Sequence, residues 1–234
     1  ETRAQGGANP QTDADIRHLD GGSIHTYHQM IRELDEGIGR VVDALDAGGL
    51  GDDTLIVFTS DNGGERFSDN WPLVGGKMDL TEGGIRVPCM VRWPRVVPAG
   101  SVSGQHVITM DWTRTMLEAA GVAPHADYPM DGESMMGVLA DPEVDFAREL
   151  FWRMKHDNQR ALRDGDWKYL AVGENEYLFD LSKDERERAN QGKREPERLA
   201  RMRARHAEWN AAMGPIPADA RSENVYTLAD MPAR

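Results

Sequence analysis

The chain has 234 residues, a length that allows one large domain or two smaller ones. It carries 27 Lys plus Arg against 40 Asp plus Glu, for a formal net charge of −13, and its 39% hydrophobic content can form a buried core. Because phosphate groups are bound by clustered Lys and Arg, this charge disfavours nucleic acid as a partner. No apolar run approaches the roughly 20 residues of a transmembrane helix, so no membrane span is predicted.

The first half of the chain has the pattern of an α/β protein. Residues 1–22 are polar and aperiodic, which predicts an irregular N-terminal segment. Over residues 27–45 the apolar side chains recur at three- and four-residue steps, which predicts a helix. The run TLIVFT at residues 54–59 is continuously apolar and predicts a central parallel strand that is covered on both faces.

The second half changes in character. The short runs ELFWR, QRALR, DWKYLAV and EYLFDL are typical of strands, and the pair Asp164-Gly165 predicts a hairpin turn. A helix rich in arginine follows, with His206 predicted on its polar side. We therefore predict an antiparallel α+β subdomain with one covering helix over residues 146–213, and a tail over residues 214–234.

Asp61 and Asn62 follow the predicted strand directly, at the end where open α/β sheets bind ligands. Their oxygen atoms suit a hard cation such as Ca²⁺ or Mg²⁺. Two ligands do not complete a coordination sphere, and Asp-Asn-Gly sequences also form simple turns. From these residues alone, a turn is the favoured interpretation and a metal site is the alternative.

Lys77 and Cys89 are the other residues with possible chemistry. Lys77 lies in the segment GGK and could bind an anion, although a solvated loop lysine is the commoner case. Cys89, the single cysteine, lies in the apolar run VPCMVRW and is expected to be a small buried side chain and not a reactive thiol. The histidines form no zinc-binding pattern.

The order of these segments resembles the C-terminal half of a sulfatase, a formylglycine-dependent sulfuric ester hydrolase of the alkaline phosphatase superfamily. The resemblance extends from about Tyr27 to Asn190. It is carried by the segments YHQMIRELDEGIGRVVDALDAGGLGDDTLIVFTSDNGG, GGKMDLTEGGIRVP, RWPRVVPAG, DWTRTMLEAAG, DGESMMGVL, RALRDGDWKYL and EYLFDLSKDERERAN. The fold that it implies is an alkaline-phosphatase-like α/β portion over residues 23–145, followed by the antiparallel subdomain.

The resemblance also implies roles for individual residues. Asp61 and Asn62 would be two ligands of one divalent cation, usually Ca²⁺, with Mg²⁺ as an alternative. Lys77 would contact the sulfate group and would be both a catalytic and a substrate-binding residue. The substrate would be a small-molecule or glycan sulfate ester, and the location periplasmic or secreted.

Several parts of the family pattern have no counterpart here, the nucleophile segment among them. The family's nucleophile is a cysteine in a Cys-x-Pro-x-Arg segment that is converted to formylglycine, and Cys89 has a different context. We therefore expect an N-terminal half to be a partner, and the chain alone to have little sulfatase activity. A phosphonate or phosphate monoester hydrolase of the same superfamily and a non-catalytic interaction module remain the alternatives.

Overall fold

A computed structural model describes residues 23–65 and 67–220. The helices are α1 (Ile24–Ala47), α2 (Glu82–Ile85), α3 (Asp111–Ala119), α4 (Met136–Ala140) and α5 (Pro196–Ala212). The strands are β1 (Ile56–Thr59), β2 (Cys89–Arg92), β3 (Glu149–Met154), β4 (Gln159–Asp164), β5 (Trp167–Val172) and β6 (Asn175–Asp180). The predicted irregular segment 1–22 and the end of the predicted tail lie outside the described residues.

The strand β1 forms where the sequence predicts a strand, but its pairing differs from the prediction. Within the described residues β1 pairs with β2 alone, in the antiparallel sense, from Ile56 opposite Arg92 to Thr59 opposite Cys89. Phe58 is 37% exposed, so β1 is not covered on both faces by this part of the chain. A continuous apolar run indicates burial but carries no information about the direction of the neighbouring strand.

The helices α3 and α4 cover the two-stranded sheet. Their buried side chains, with the sheet residues that pack against them, are Trp112, Met135, Val138, Leu139, Leu55, Val57 and Val91. A buried ion pair closes this region, because Arg148 donates to both carboxylate oxygens of Asp111 at 2.7 and 2.9 Å. The Asp111 carboxylate also accepts the backbone N–H groups of Ile108 and Glu133, so it is fully hydrogen-bonded although it is buried.

The second half forms the predicted antiparallel sheet, with the strand order β3-β4-β5-β6. Asp164 ends β4 and Gly165 has a φ of 57°, which confirms the predicted turn. The helix α5 covers one face of the sheet, where Leu162, Tyr169 and Met202 are buried.

The opposite face of this sheet is covered by the chain that follows Lys77. Leu80 is buried against Leu170 and Phe179, and Ile85 packs against the same cluster. Both faces of the C-terminal sheet are therefore covered, one by α5 and the other by the segment that contains Leu80 and Ile85.

The helix α1 begins at a Ser23 cap, whose hydroxyl accepts the Thr26 N–H, and it is amphipathic as predicted. None of its residues is buried. Its apolar side chains are largely exposed, at 65% for Met30, 51% for Leu34 and 60% for Val41. The described residues therefore leave the apolar face of α1 uncovered, and none of their helices is long and apolar enough to cross a bilayer.

Two expectations about burial are wrong. Cys89 is exposed, because it lies at the end of the short strand β2 opposite Thr59. His206 is only 3% exposed, since its ring packs beside the stacked rings of Phe151 and Trp209 and its Nε2 hydrogen-bonds the Trp152 carbonyl at 3.0 Å.

The burial of His206 makes stability depend on pH. Burial lowers the pKa of His206 below its ordinary value of 6.5, with Arg160 and Arg153 acting in the same direction. As the pH drops below about 6.5, His206 binds a proton more readily in the unfolded chain than in the folded chain. The free energy of unfolding therefore falls with pH in this range. Urea unfolding between pH 5 and 7.5 measures this slope, which His206→Asn should reduce.

His25→Asn is the matched control, because His25 is exposed on α1 and should leave the slope unchanged. An unaltered slope in the His206→Asn variant contradicts the assignment.

Candidate functional site

Asp61 and Asn62 lie near the start of the segment that we call the site loop, residues 60–65 and 67–84. Both residues follow the last residue of β1, Thr59, and the Ser60 hydroxyl donates to the Asn62 carbonyl at 2.8 Å. The chain therefore turns here, as the residue types predict. The turn does not exclude a ligand site, because it leaves Asp61 exposed and Asn62 only partly buried.

Glycine backbones hold the two ends of the site loop together. The Gly63 N–H donates to the Gly84 carbonyl at 2.8 Å, and the Gly83 N–H donates to the Val74 carbonyl at 2.8 Å. A Cβ on Gly63 would lie 1.8 Å from the Gly83 oxygen, and one on Gly83 would lie 2.4 Å from the Val74 oxygen. Only glycine allows the backbones to approach this closely.

The same packing brings Lys77 beside the Asp61–Asn62 turn. The Lys77 N–H donates to the Gly64 carbonyl at 3.1 Å. The Asn70 side chain donates to both the Gly64 and Gly75 carbonyls at 3.0 Å and accepts the Gly64 N–H at 3.1 Å. The backbone of Lys77 is therefore bonded to Gly64, two residues after Asn62, although Lys77 lies 13 residues further along the chain.

The side chains of the three candidate residues remain available to a ligand. The Lys77 side chain is 47% exposed, and its ammonium lies 3.5 Å from the carboxylate of Glu65, whose side chain is 69% exposed. A pair this exposed is weak and can exchange for a bound anion. Within the described residues, no hydrogen bond or ion pair engages the side chains of Asp61 and Asn62.

The donor set fits a hard divalent cation only in part. A carboxylate and an amide oxygen are ligands that Ca²⁺ and Mg²⁺ prefer, and here they are adjacent and unengaged. The described part of the chain contains no group of three or more His, Cys, Asp or Glu side chains that could hold a metal ion. Asp61 and Asn62 can therefore supply two ligands of a larger set.

A buried ionic cluster fixes the site loop to the C-terminal sheet, and sequence reasoning missed it. Lys168 on β5 lies 2.9 Å from Glu82 and 2.8 Å from Glu187, and Arg163 on β4 lies 2.9 Å from Glu82. The side chains of Lys168, Glu82 and Glu187 are at most 1% exposed. We call these four residues the Lys168 cluster.

The Lys168 cluster is electrically balanced and extensively bonded. It contains two carboxylates and two cations, and the Glu82 N–H also donates to Glu187 at 2.6 Å. Burial raises the pKa of Glu187, and the Lys168 ammonium opposes that rise. The signal in the sequence was the alternation of WKYLAV, which places Lys168 on the same face as the buried Leu170.

Gln159 adds a second attachment between the site loop and the sheet. Its side chain accepts the Leu80 N–H at 2.9 Å and donates to the Met78 carbonyl at 2.8 Å. The bonded residues directly follow Lys77. The position of the candidate lysine therefore depends on the C-terminal sheet as well as on the glycine contacts.

Comparisons with known proteins agree with this architecture. The family model described as "Sulfatase" matches residues 1–122, and the one described as "N-sulphoglucosamine sulphohydrolase, C-terminal" matches residues 76–205. Steryl-sulfatase of Mus musculus is 41% identical over 130 residues, which are 51% of this chain and 21% of that protein. N-acetylgalactosamine-6-sulfatase of Homo sapiens is 37% identical over 119 residues, 48% of this chain and 23% of that protein.

A solved structure shows the same similarity in three dimensions. The crystal structure of Ps i-CgsB in complex with k-i-k-neocarrahexaose has a TM-score of 0.71 and 33% identity, over 79% of this chain and 42% of that one. The chain therefore spans less than half the length of these relatives. The predicted fold class, an alkaline-phosphatase-like α/β portion with an antiparallel C-terminal sheet, is confirmed.

Replacing Lys168 with methionine tests how much the Lys168 cluster, which holds the site loop against the sheet, contributes to stability. The change leaves the Glu82 and Glu187 carboxylates buried with one cation fewer, so we expect the free energy of unfolding to fall by about 3–5 kcal/mol. Urea denaturation followed by circular dichroism measures this loss.

Lys183→Met removes the same charge from an ammonium whose side chain is 80% exposed, and it should hardly move the unfolding midpoint. Equal midpoints for the Lys168→Met and Lys183→Met variants contradict a structural role for the cluster.

Proposed function

Because the chain belongs to the sulfatase family, we propose that it supplies part of the active site of a sulfuric ester hydrolase. In this proposal Asp61 and Asn62 are two ligands of a single divalent cation, Ca²⁺ or Mg²⁺, and Lys77 contacts the sulfate group. The observation that carries the proposal is the hydrogen bond from the Lys77 N–H to the Gly64 carbonyl, which holds the lysine beside the Asp61–Asn62 turn.

Each of the three residues has a defined chemical task. When bound, the cation polarises the oxygens of the sulfate ester. Asp61 and Asn62 orient that cation through adjacent side chains on a rigid turn. The Lys77 ammonium donates to a sulfate oxygen and stabilises the negative charge that develops as the ester bond breaks, without itself losing a proton.

We propose that the nucleophile comes from another part of the enzyme. The family uses a formylglycine made from cysteine, and Cys89 is followed by Met90, Val91 and Arg92 instead of the Cys-x-Pro-x-Arg pattern. The apolar face of α1, which the described residues leave uncovered, supports this division, because it offers a surface on which the rest of a larger α/β domain would pack. This chain by itself should therefore release little sulfate from a sulfate ester.

A glycan sulfate ester is the substrate class that we favour. N-acetylgalactosamine-6-sulfatase is named for a sugar sulfate, and Ps i-CgsB was solved with an oligosaccharide. Steryl-sulfatase keeps a small-molecule ester as the alternative. By the same family argument we propose an extracytoplasmic location, periplasmic or secreted.

The role of Lys77 is tested in the whole protein that contains this chain. We expect Lys77→Ala to lower kcat/KM for 4-nitrophenyl sulfate about 10²–10³-fold, as the loss of one charge-stabilising donor does. Lys183→Ala, which removes an exposed ammonium outside the site loop, should leave kcat/KM unchanged. Equal activity of the Lys77→Ala and Lys183→Ala variants contradicts the role.

Calorimetric titration with Ca²⁺ tests the proposed metal ligands, and Asp61→Ala should weaken the affinity for Ca²⁺.

Assays with 4-nitrophenyl phosphate test the alternative of a phosphate hydrolase. A higher kcat/KM for 4-nitrophenyl phosphate than for 4-nitrophenyl sulfate would contradict a sulfatase.

A further inference from the structure

Trp71 is an exposed aromatic side chain within the site loop. It is 70% exposed, although large aromatic side chains usually bury most of their surface. The guanidinium carbon of Arg186 lies 4.1 Å from the centre of its ring, so one face is covered by a cation. The remaining exposed surface of the indole is available to a flat apolar partner.

The position of Trp71 is fixed close to the candidate site. It follows Asn70, the residue whose side chain bonds both Gly64 and Gly75, and its own N–H donates to Asp69 at 2.9 Å. Trp71 therefore lies one residue from Asn70, whose side chain donates to the same Gly64 carbonyl that accepts the Lys77 N–H.

The guanidinium of Arg186 has N–H donors that no described residue accepts. Apart from the contact with Trp71, its guanidinium makes no hydrogen bond or ion pair with the residues that the structure describes, and its Nε is buried without a partner. The neighbouring carboxylates are directed elsewhere, Glu185 toward Arg86 at 3.9 Å and Glu187 toward Lys168 at 2.8 Å. A guanidinium presents five N–H donors, so Arg186 keeps donors for a ligand.

We propose that Trp71 and Arg186 form a subsite for a sugar ring that carries a second anionic group, next to the sulfate held at Lys77. The ring packs against the exposed indole beside the guanidinium, and the guanidinium donates to the carboxylate or sulfate that the ring carries. A protein with a net charge of −13 needs such local cations to attract a polyanionic glycan.

This subsite rests on the proposed function, because it assigns the substrate class of the same site. It makes the preferred substrate a glycan with at least two anionic groups on neighbouring sugars. Arg186 and Trp71 then determine specificity, whereas Lys77 acts on the reacting sulfate.

The test compares two probes on the whole protein that contains this chain. N-acetylgalactosamine 6-sulfate carries one anionic group, and the chondroitin 6-sulfate disaccharide adds a uronate carboxylate. Dissociation constants are measured by calorimetry for the unaltered protein and for Arg186→Gln, Trp71→Ala and Trp71→Phe. Arg188→Gln is the matched control, because Arg188 is exposed two residues away and the variant has the same change in net charge.

We expect the unaltered protein to bind the disaccharide more tightly than the monosaccharide. Arg186→Gln should weaken disaccharide binding about 10-fold, the loss of about 1.4 kcal/mol from a charge-assisted contact, and change monosaccharide binding less than about 2-fold. Trp71→Ala should weaken disaccharide binding, and Trp71→Phe should recover part of it because a flat ring remains. Arg188→Gln should match the unaltered protein.

Three results would overturn the subsite: no preference for the disaccharide in the unaltered protein, an equal loss for both probes in Arg186→Gln, or the same loss in Arg188→Gln. An equal loss for both probes would mean that Arg186 only supports the site loop. The proposed function fails separately, if Lys77→Ala leaves sulfate release intact. The disaccharide pattern would then still support the subsite.

Discussion

The buried ammonium of Lys168 is the constraint on which the candidate site depends. It joins Glu82 from the site loop and Glu187 from the segment after β6, and it does so on the face of the sheet opposite α5. Removing charges from water is costly, so such a cluster persists only when every member is paired. Its pairing here holds α2, and with it the Gly83–Gly84 backbone, in one position against the sheet.

From that fixed point, backbone hydrogen bonds extend to the residues that we propose to bind ligands. Gly84 accepts the Gly63 N–H, and Gly64 accepts the Lys77 N–H, so backbone hydrogen bonds hold the two candidate segments together. This arrangement suits a site that must bind a cation and an oxyanion together. The supporting structure is rigid and buried, whereas Asp61 and Lys77 stay exposed to a ligand.

The sequence predicts the features that local chemistry decides. Periodicity locates α1, and Asp164-Gly165 locates the turn between β4 and β5. It does not predict the direction of the β1 pairing, the exposure of Cys89 or the burial of His206, because each depends on which distant segment packs there. From the sequence, only the family resemblance predicts that Asp61 and Lys77 belong to one site. The Lys168 cluster was missed because lysine and glutamate are rarely buried. The alternation of WKYLAV indicates the face of Lys168 but does not identify its partners in distant segments.

Native-state hydrogen exchange tests most directly whether the C-terminal sheet holds the site loop. The amides of Gly63, Lys77 and Gly83 should exchange through the same opening as those of Leu162 and Leu170, with one shared free energy, because the loop cannot open while the Lys168 cluster is intact. Rapid exchange of the three loop amides while the two sheet amides stay protected would contradict this coupling.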